Sequence, residues 1–595
     1  MGSWFLALLT ATLVAAPPAV PGAEAKVPVS KAEAAAAERL RKDVAFLAAP
    51  ALKGRGNGYP ELDVAARRIQ GELKKLGIKT QVQRFPFIAK VARKQQEATL
   101  THGDSPRTLV WGRDIEALGL SGDAEFRSKP LAFAGYGVQI PGGYDDLAGL
   151  ELKGRVAVIA RTVPDLDAFA HLPRGERSLL ARLKRLESAK VAGVIVLEEQ
   201  GLRPLQREEG PVKMDIPVVG VRPEALADAC GDLLGRLKAI KDTQKPASHD
   251  FVQAPWTVLS LDLKLSREEA QVPNVVGVIP GRDPKLRKEF IVLGAHMDHL
   301  GMGERHSLGG AEARGQVHPG ADDNASGTAM VMELARELKR ARPKRSILLL
   351  HFAGEEEGLL GSQYWVQHPT HPLESVKFML NFDMVGRLDL NAPKLMMGGL
   401  GAPKSALEAA KAFVPKGFTV SVDVGAAVGG SDHMSFSQAK IPTFFFFTGI
   451  HGEYHRPTDT ADRINFPGMA KLAAFGRTLT LDLANAKTLP AFDPETAKIP
   501  MKGDGGPMRI AFGTIPDYAD NPKGFRINGV SKGSTAETIG LQAGDILIQF
   551  GDKPVKSIYD FMGALGAYKP GDKAEITWLR GDQVMKAVAT LKGRS

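Results

Sequence analysis

A chain of 595 residues, 44% hydrophobic and 24% charged, is too long for one core and predicts roughly three or four domains. Its formal charge of +10 is spread along the length, with no long Lys/Arg block and no basic–aromatic interleaving, which argues against a nucleic-acid partner. Cys230 is the single cysteine, so an intrachain disulfide is excluded, and its neighbours in EALADACGDLL predict a small buried residue.

The N-terminus reads MGSWFLALLTATLVAAPPAVPGAEAK. Its apolar run from Trp4 to Ala16 is ended by Pro17 and Pro18, and AEA at 23–25 suits signal-peptidase cleavage. Residues 1–25 therefore read as a signal peptide, although the n-region has no Lys or Arg. The run is short for a bilayer span and no longer one follows. An exported protein, periplasmic or extracellular, is expected, with no membrane span after signal removal.

From Lys31 to about Leu76 apolar positions recur at helical spacing, as in ELDVAARRIQGELKKLGI, with a Gly-rich turn, LKGRGNGYP, between the helical stretches. From about Gln96 to Ser266 the chain changes to short β-like runs (LAFAGYGV, GRVAVIAR, AGVIVLEE, IPVVGV) around one helical piece, SLLARLKRLESAKVAG. From Asn274 the pattern is regular α/β. The strand EFIVLGAH, the helix GTAMVMELARELKRA and the strand SILLLHF precede FMLNFDMVG and PTFFFFTG. This alternation predicts a mostly parallel central sheet flanked by helices. AFDPETAKIPMKGDGGPM reads as a polar linker, and a small β-rich unit follows from about Met508 to Lys592.

The strands of the α/β region end in metal-ligand residue types. VLGAHMDHLG supplies His296, Asp298 and His299, and HPGADDNASG supplies Asp322, Asp323 and Asn324. FAGEEEGLLGS supplies Glu355, Glu356 and Glu357, LNFDMVG supplies Asp383, and GEYHRPTDT supplies Tyr454 and His455. Ligands of open α/β sheets bind at the carboxyl ends of the strands. Taken singly, Asp322 or Asp323 is a helix cap, the three glutamates are a solvated turn, and His299, His351 and His433 are packing or surface histidines. Taken together, imidazoles and carboxylates without a thiolate suit a hydrolytic zinc site rather than a structural one. A carboxylate between two ions is the two-metal arrangement.

The same motifs, in order over most of 274–484, resemble the co-catalytic zinc aminopeptidases of the bacterial-secreted and aminopeptidase-Y type. LKGRGNGYPELDVAARRIQGELKKLGI resembles that family's N-terminal segment. The resemblance implies a zinc exopeptidase fold and two Zn2+ per chain. It implies His296 and Asp383 as terminal ligands of one ion, Glu356 and His455 of the other, and Asp323 as the bridge, with a cis bond to Asn324. It further implies Asp298 behind His296, orienting the ring, Glu355 as general base, and Tyr454 as a donor to the oxyanion. Glu357 is expected as a helix N-terminal charge. Ser431, Asp432 and His433 in GGSDHMSFSQAKIP are expected behind the ligands or in the substrate cleft, and His318 and His451 as support beside the ligand loops.

LAFAGYGVQIPGGYDDLAGLELKGRVAVIAR, AKVAGVIVLEE and IPVVGVRPE resemble a protease-associated domain, which implies a role in substrate access rather than chemistry. GFRINGVSKGSTAETIGLQAGDILIQFGDKPVKSIYDFMGAL resembles a PDZ domain. Gly524–Phe525 stands where the carboxylate-binding loop would be, without the usual four-residue Gly-hydrophobic-Gly-Phe pattern. A competent domain of this kind takes a peptide C-terminus or extended segment as an added strand. The expected organisation is a signal peptide at 1–25, an N-terminal part of the peptidase at 26–95 and an inserted protease-associated domain at 96–266. The zinc peptidase domain at 267–490, a linker at 491–507 and a PDZ domain at 508–592 complete it. The expected activity is removal of N-terminal residues from peptides with a free N-terminus. Three alternatives stay open: a carboxypeptidase or dipeptidase, a single-zinc glutaminyl cyclase, and an inactive receptor-like binding protein.

Overall fold

The computed structural model describes residues 28–593 except 165, 170, 171, 173, 200, 204, 206–212, 252–255, 392, 422–429, 498–509, 517–522, 532, 557 and 582. The expected signal peptide and residues 498–507 of the expected linker lie outside the described residues. Among the described residues no helix is long and apolar enough to cross a membrane.

Helix α1 (Lys31–Leu47) opens with a reciprocal cap. The Ser30 hydroxyl accepts from the Glu33 amide at 3.2 Å and the Glu33 carboxylate accepts from the Ser30 amide at 2.7 Å. Helix α2 (Pro60–Lys75) starts on a proline, whose fixed φ suits the first turn. The chain continues through β1 (Lys79–His102), β2 (Thr257–Ile279), β3 (Phe290–His296), α3 (Gly327–Ala341), β4 (Ser346–Phe352) and α4 (Leu360–Gln367). It then forms β5 (Val376–Phe382), β6 (Lys394–Gly398), β7 (Thr419–Ser421), α5 (His433–Gln438), β8 (Thr443–Phe447) and α6 (Phe466–Asn485).

The strands are ordered β7-β6-β8-β5-β3-β4-β2. Strand β3 lies between β4 and β5 and is parallel to both; β8 is parallel to β5, and β2 closes the far side antiparallel to β4. The expected mostly parallel sheet is thus present, with its centre where the strand-end motifs lie. Alternation along the strands explains the layering. Ile291, Leu293 and Ala295 of β3 and Ile347 and Leu349 of β4 share one core with α1, α2, α3 and α6. Val292, Leu348, Leu350 and Phe352 share the opposite core with Trp365 of α4 and Phe436 of α5, whose rings stack at 5.5 Å.

Strands β1 and β2 pair antiparallel along almost their full length, from Lys79 opposite Val278 to His102 opposite Thr257. One end of β2, Val275 to Ile279, pairs with β4; the other, from Val258 to Leu263, pairs with the strand Ala124–Phe133. The ribbon therefore belongs to two sheets. The expected boundaries at 95/96 and 266/267 fall beside a break in register between Arg93 and Gln95, and such irregularities bend a strand pair. Beyond the ribbon, Ala124–Phe133, Val156–Ala160, Gly193–Leu197 and Val218–Val221 run parallel in that order, with separate apolar clusters on the two faces. Cys230 is buried there, as expected, and burial pushes its thiol up to about 12.

The C-terminal unit has its own antiparallel sheet, running through Thr514–Pro516, Phe525–Val530, Ile546–Phe550, Lys573–Arg580 and Gln583–Thr590. Its core, which includes Phe512, Phe525, Leu547, Phe550, Phe561 and Trp578, is drawn from residues 510–591. The first residues of the expected linker are docked rather than free. The Asp493 amide donates to the Gly401 carbonyl at 2.8 Å, and a Cβ on Gly401, at φ +71°, would lie 2.2 Å from the Phe492 ring. A chain ending at Ala497 is therefore expected to express solubly and to keep the thermal transition of residues 28–497 within a few degrees. A chain ending at Ala491, which leaves Gly401 uncovered, should unfold at lower temperature. Insolubility of the Ala497 variant would show that the C-terminal unit supports the larger core.

Candidate metal centre

Three neighbouring parallel strands deliver the central groups. His296 is the last residue of β3, Glu355 and Glu356 follow β4 after two residues, and Asp383 follows β5 directly. Asp323 precedes α3, and His455 comes from the loop after β8. The Asp323–Asn324 peptide bond is cis.

The side chains form two sets that share Asp323. In the first, His296 Nε2 lies 3.3 Å from Asp323 Oδ1 and 3.4 Å from Asp383 Oδ1. In the second, His455 Nε2 lies 3.2 Å from both Asp323 Oδ2 and Glu356 Oε2. A tetrahedral zinc with bonds of roughly 2.0–2.1 Å separates its ligands by about 3.3 Å. In each set the imidazole nitrogen therefore stands from two carboxylate oxygens at the spacing that zinc ligands keep. Glu355 Oε2 is 3.9 Å from His296 Nε2, beside the first set.

Electrostatics explain why these anions tolerate one another. Burial opposes a charge on Asp323, but the imidazoles of His299, His296 and His455 outweigh it and hold the carboxyl well below its usual range. Burial likewise opposes Glu356, yet His455 and His299 bring it down to about 2. Burial works against a charge on His455, while Glu356 and Asp323 push it up to about 11. Glu355 behaves differently. Burial, with Glu356, Asp383 and Asp432 close by, raises it well above the ordinary glutamate value despite His296. Dications at the two sets would replace the imidazolium charge and reverse that direction.

The supporting contacts come from distant parts of the chain. Asp298 sits behind His296, but its backbone carbonyl is nearer the ring, at 3.2 Å from Nδ1 against 3.7 Å for Oδ1. The Asp298 carboxylate accepts instead from Asn57 Nδ2 at 2.7 Å and from the Glu355 and Glu356 amides at 3.3 and 3.4 Å. The Asn57 carbonyl in turn accepts from the Gly354 amide at 2.9 Å. Asp459 Oδ2 accepts from the Asp322 and Asp323 amides at 2.9 and 3.1 Å. Asn324 donates to the Phe382 carbonyl at 3.0 Å, which fixes the bridging turn to the end of β5. Ser431 Oγ donates to Asp383 Oδ2 at 2.7 Å. His451 Nε2 lies 3.1 Å from Asp322 Oδ2, and His318 is held by Ser307 and the Gln316 carbonyl, both as support.

Several expectations change. Glu357 does not start a helix, since α4 begins at Leu360; it faces Arg305 at 3.9 Å. His433 stacks on Phe445 at 4.4 Å, and burial pulls it and His351 down to about 3, so both are neutral core histidines. His299, grouped with them on sequence, instead reaches the second set, with Nδ1 2.6 Å from Glu356 Oε1. Tyr454 stacks on His455 at 3.9 Å; burial and the carboxylates of Asp323, Glu356 and Glu355 push its phenol well up, which keeps the proton available for donation. Sequence reasoning missed Arg55, whose buried guanidinium donates to the carbonyls of Leu47, Met297, Pro319 and Gly320 at 2.5 to 3.0 Å. The available signal was an Arg and an Asn set among the glycines of LKGRGNGYP, which a simple turn does not need.

Residues 274–479 match the model of peptidase family M28, and residues 511–591 that of the PDZ domain. The chain is similar to aminopeptidase YwaD of Bacillus subtilis, 27% identical over 412 residues that cover 67% of this chain and 75% of that protein. It is also similar to a probable leucine aminopeptidase of Trichophyton verrucosum, 29% identical over 234 residues, 38% of this chain and 61% of the relative. A solved aminopeptidase from Aneurinibacillus sp. strain AM-1 aligns over 77% of this chain and 96% of its own, at 22% identity and a TM-score of 0.48. The α/β region that carries the clustered histidines and carboxylates, residues 274–479, is thus a peptidase family M28 domain, and residues 511–591 form a PDZ domain.

Proposed function

We propose that this protein is an exported aminopeptidase that uses two zinc ions to remove N-terminal residues from peptides. The observation that carries the reading is the pair of donor sets sharing Asp323, each at zinc-ligand spacing. His296, Asp323 and Asp383 would hold one ion; His455, Glu356 and Asp323 the other. Bound there, the ions supply Lewis acidity, which acidifies water and polarises a scissile carbonyl.

The chain's own groups do the rest. Glu355, at the edge of the first set, takes a proton from the attacking water on a carboxylate oxygen and returns it to the leaving amine. The Asp298 carboxylate, gripped by Asn57, holds the Glu355 and Glu356 amides and so sets where both side chains start. Tyr454, protonated and beside His455, donates to the oxygen that gains charge. Residues 96–266 are read as a protease-associated domain that shapes access, and the PDZ domain as a docking module for an extended peptide. Two donor sets favour this reading over a single-zinc cyclase. About two zinc ions per chain with cleavage of aminoacyl-nitroanilides supports it; one zinc with cyclisation of N-terminal Gln would replace it.

Glu355→Gln keeps the shape but not the proton acceptor. Turnover is expected to fall roughly 10²–10⁴-fold with zinc content unchanged, and near-full turnover would remove Glu355 from the role of base. Asp323→Ala removes a donor from both sets, so metal analysis should find both ions weakened; a fully loaded, active variant would contradict the bridge. Zinc uptake should also release protons. Because Glu356 and Asp323, against burial, push His455 up to about 11, its ring is protonated at neutral pH without metal and must shed a proton to ligate. Apparent affinity should therefore rise from about pH 6 to about pH 8. Calorimetry in buffers of different ionisation enthalpy reads this release directly, and heats independent of buffer would contradict it.

A further inference from the structure

His299 lies in the second donor set but at the wrong distance for a ligand. Its Nδ1 is 2.6 Å from Glu356 Oε1 and 3.9 Å from Asp323 Oδ2. Two donors on one zinc stand about 3.3 Å apart. A separation of 2.6 Å is that of a short charge-assisted hydrogen bond. The two oxygens of Glu356 thus face different partners: Oε1 meets His299, while Oε2 stands 3.2 Å from His455 Nε2.

The ring has little freedom to do anything else. Gly320 lies against it at φ +55°, and a Cβ there would come within 2.5 Å of the ring. Nε2 is buried without a hydrogen-bond partner among the described residues, so Nδ1 is the nitrogen that the surroundings specify. Asp383 repeats the arrangement on the other set. Its Oδ2 is held by the Ser431 hydroxyl at 2.7 Å and its Oδ1 is left 3.4 Å from His296. Each terminal carboxylate is gripped by one oxygen and aimed by the other.

We propose that His299 is a positioning residue that binds Oε1 of Glu356 and presents Oε2 alone to the ion shared with His455 and Asp323. This rests on the two-zinc reading above. With Oε1 held by His299, Glu356 would be aimed at an ion through Oε2.

His299→Leu and His299→Asn are nearly isosteric, and Asn restores an N–H close to the place of Nδ1–H. Purified full-length variants are stripped of metal and titrated with zinc against a competing chelator, with bound zinc counted. The wild-type chain is expected to take up two ions. In His299→Leu one ion should weaken roughly 10–100-fold, the range for loss of a contact behind a ligand, while the other keeps its affinity. His299→Asn should stay within a few-fold of wild type. His299→Ala removes the N–H in a different shape and gives the same comparison should the leucine variant fail to fold. Wild-type affinity for both ions in the leucine or alanine variant overturns the proposal, as does an asparagine variant as weak as the leucine one. A wild-type chain that binds one ion instead overturns the two-zinc reading itself.

Discussion

Mutual repulsion among buried carboxylates is the constraint that organises this molecule. Asp323, Glu356, Asp383 and Glu355 converge at the ends of adjacent strands, where little water is left to screen them. Such a group stays charged only if positive charge stands among it and every spare lone pair has a donor. The imidazoles of His296 and His455 meet part of the demand. Ser431 and His299 occupy the oxygens of Asp383 and Glu356 that point away from the shared centre. Arg55 adds a buried cation beside the cluster; burial pulls it down to about 10, and the nearby acids hold it charged. It reaches backbone carbonyls rather than neutralising a ligand, so the anions remain available to a metal.

The sheet topology makes this concentration of charge possible. Parallel neighbours end at the same level, so β3, β4 and β5 deliver His296, Glu355 with Glu356, and Asp383 to one place from segments far apart in sequence. The apolar residues beneath them, alternating between two cores, give the strand ends a fixed base. Catalytic constellations need this rigidity, because small displacements of a reacting group are expensive in rate.

The central strands and the donors at their ends were legible because both signals are local. SILLLHF and EFIVLGAH are apolar runs of strand length, and each breaks into polar residues where the strand stops. The supporting contacts were not legible for the opposite reason. Asn57 and Asp298 are 241 residues apart, and Arg55 and Gly320 are 265 apart. No spacing rule connects them. The contact of His299 with Glu356 was not legible, because a buried histidine in such a loop has the same local signature whether it packs or grips a carboxylate. The long β1–β2 ribbon was hidden by its exposure: KVARKQQEATLTH and SREEAQ do not alternate cleanly, since much of the ribbon lacks a single buried face.

The ribbon and α1 together have a consequence for how the chain comes to be active. Strand β1 finds its partner only after some 150 intervening residues have been made, and Glu33 of α1 meets Lys471 of α6 at 2.8 Å across 438 positions. Contacts this distant in sequence are late to form. Arg55 and Asn57, which lie between α1 and α2, reach the strand ends only after residues 297–354 have been made. During synthesis Arg55 and Asn57 are made long before the strands whose ends they hold, so the centre is complete only once the α/β unit has folded around them. A fragment that lacks the N-terminal segment keeps the strand-end motifs and loses the contacts of Arg55 and Asn57 that brace them.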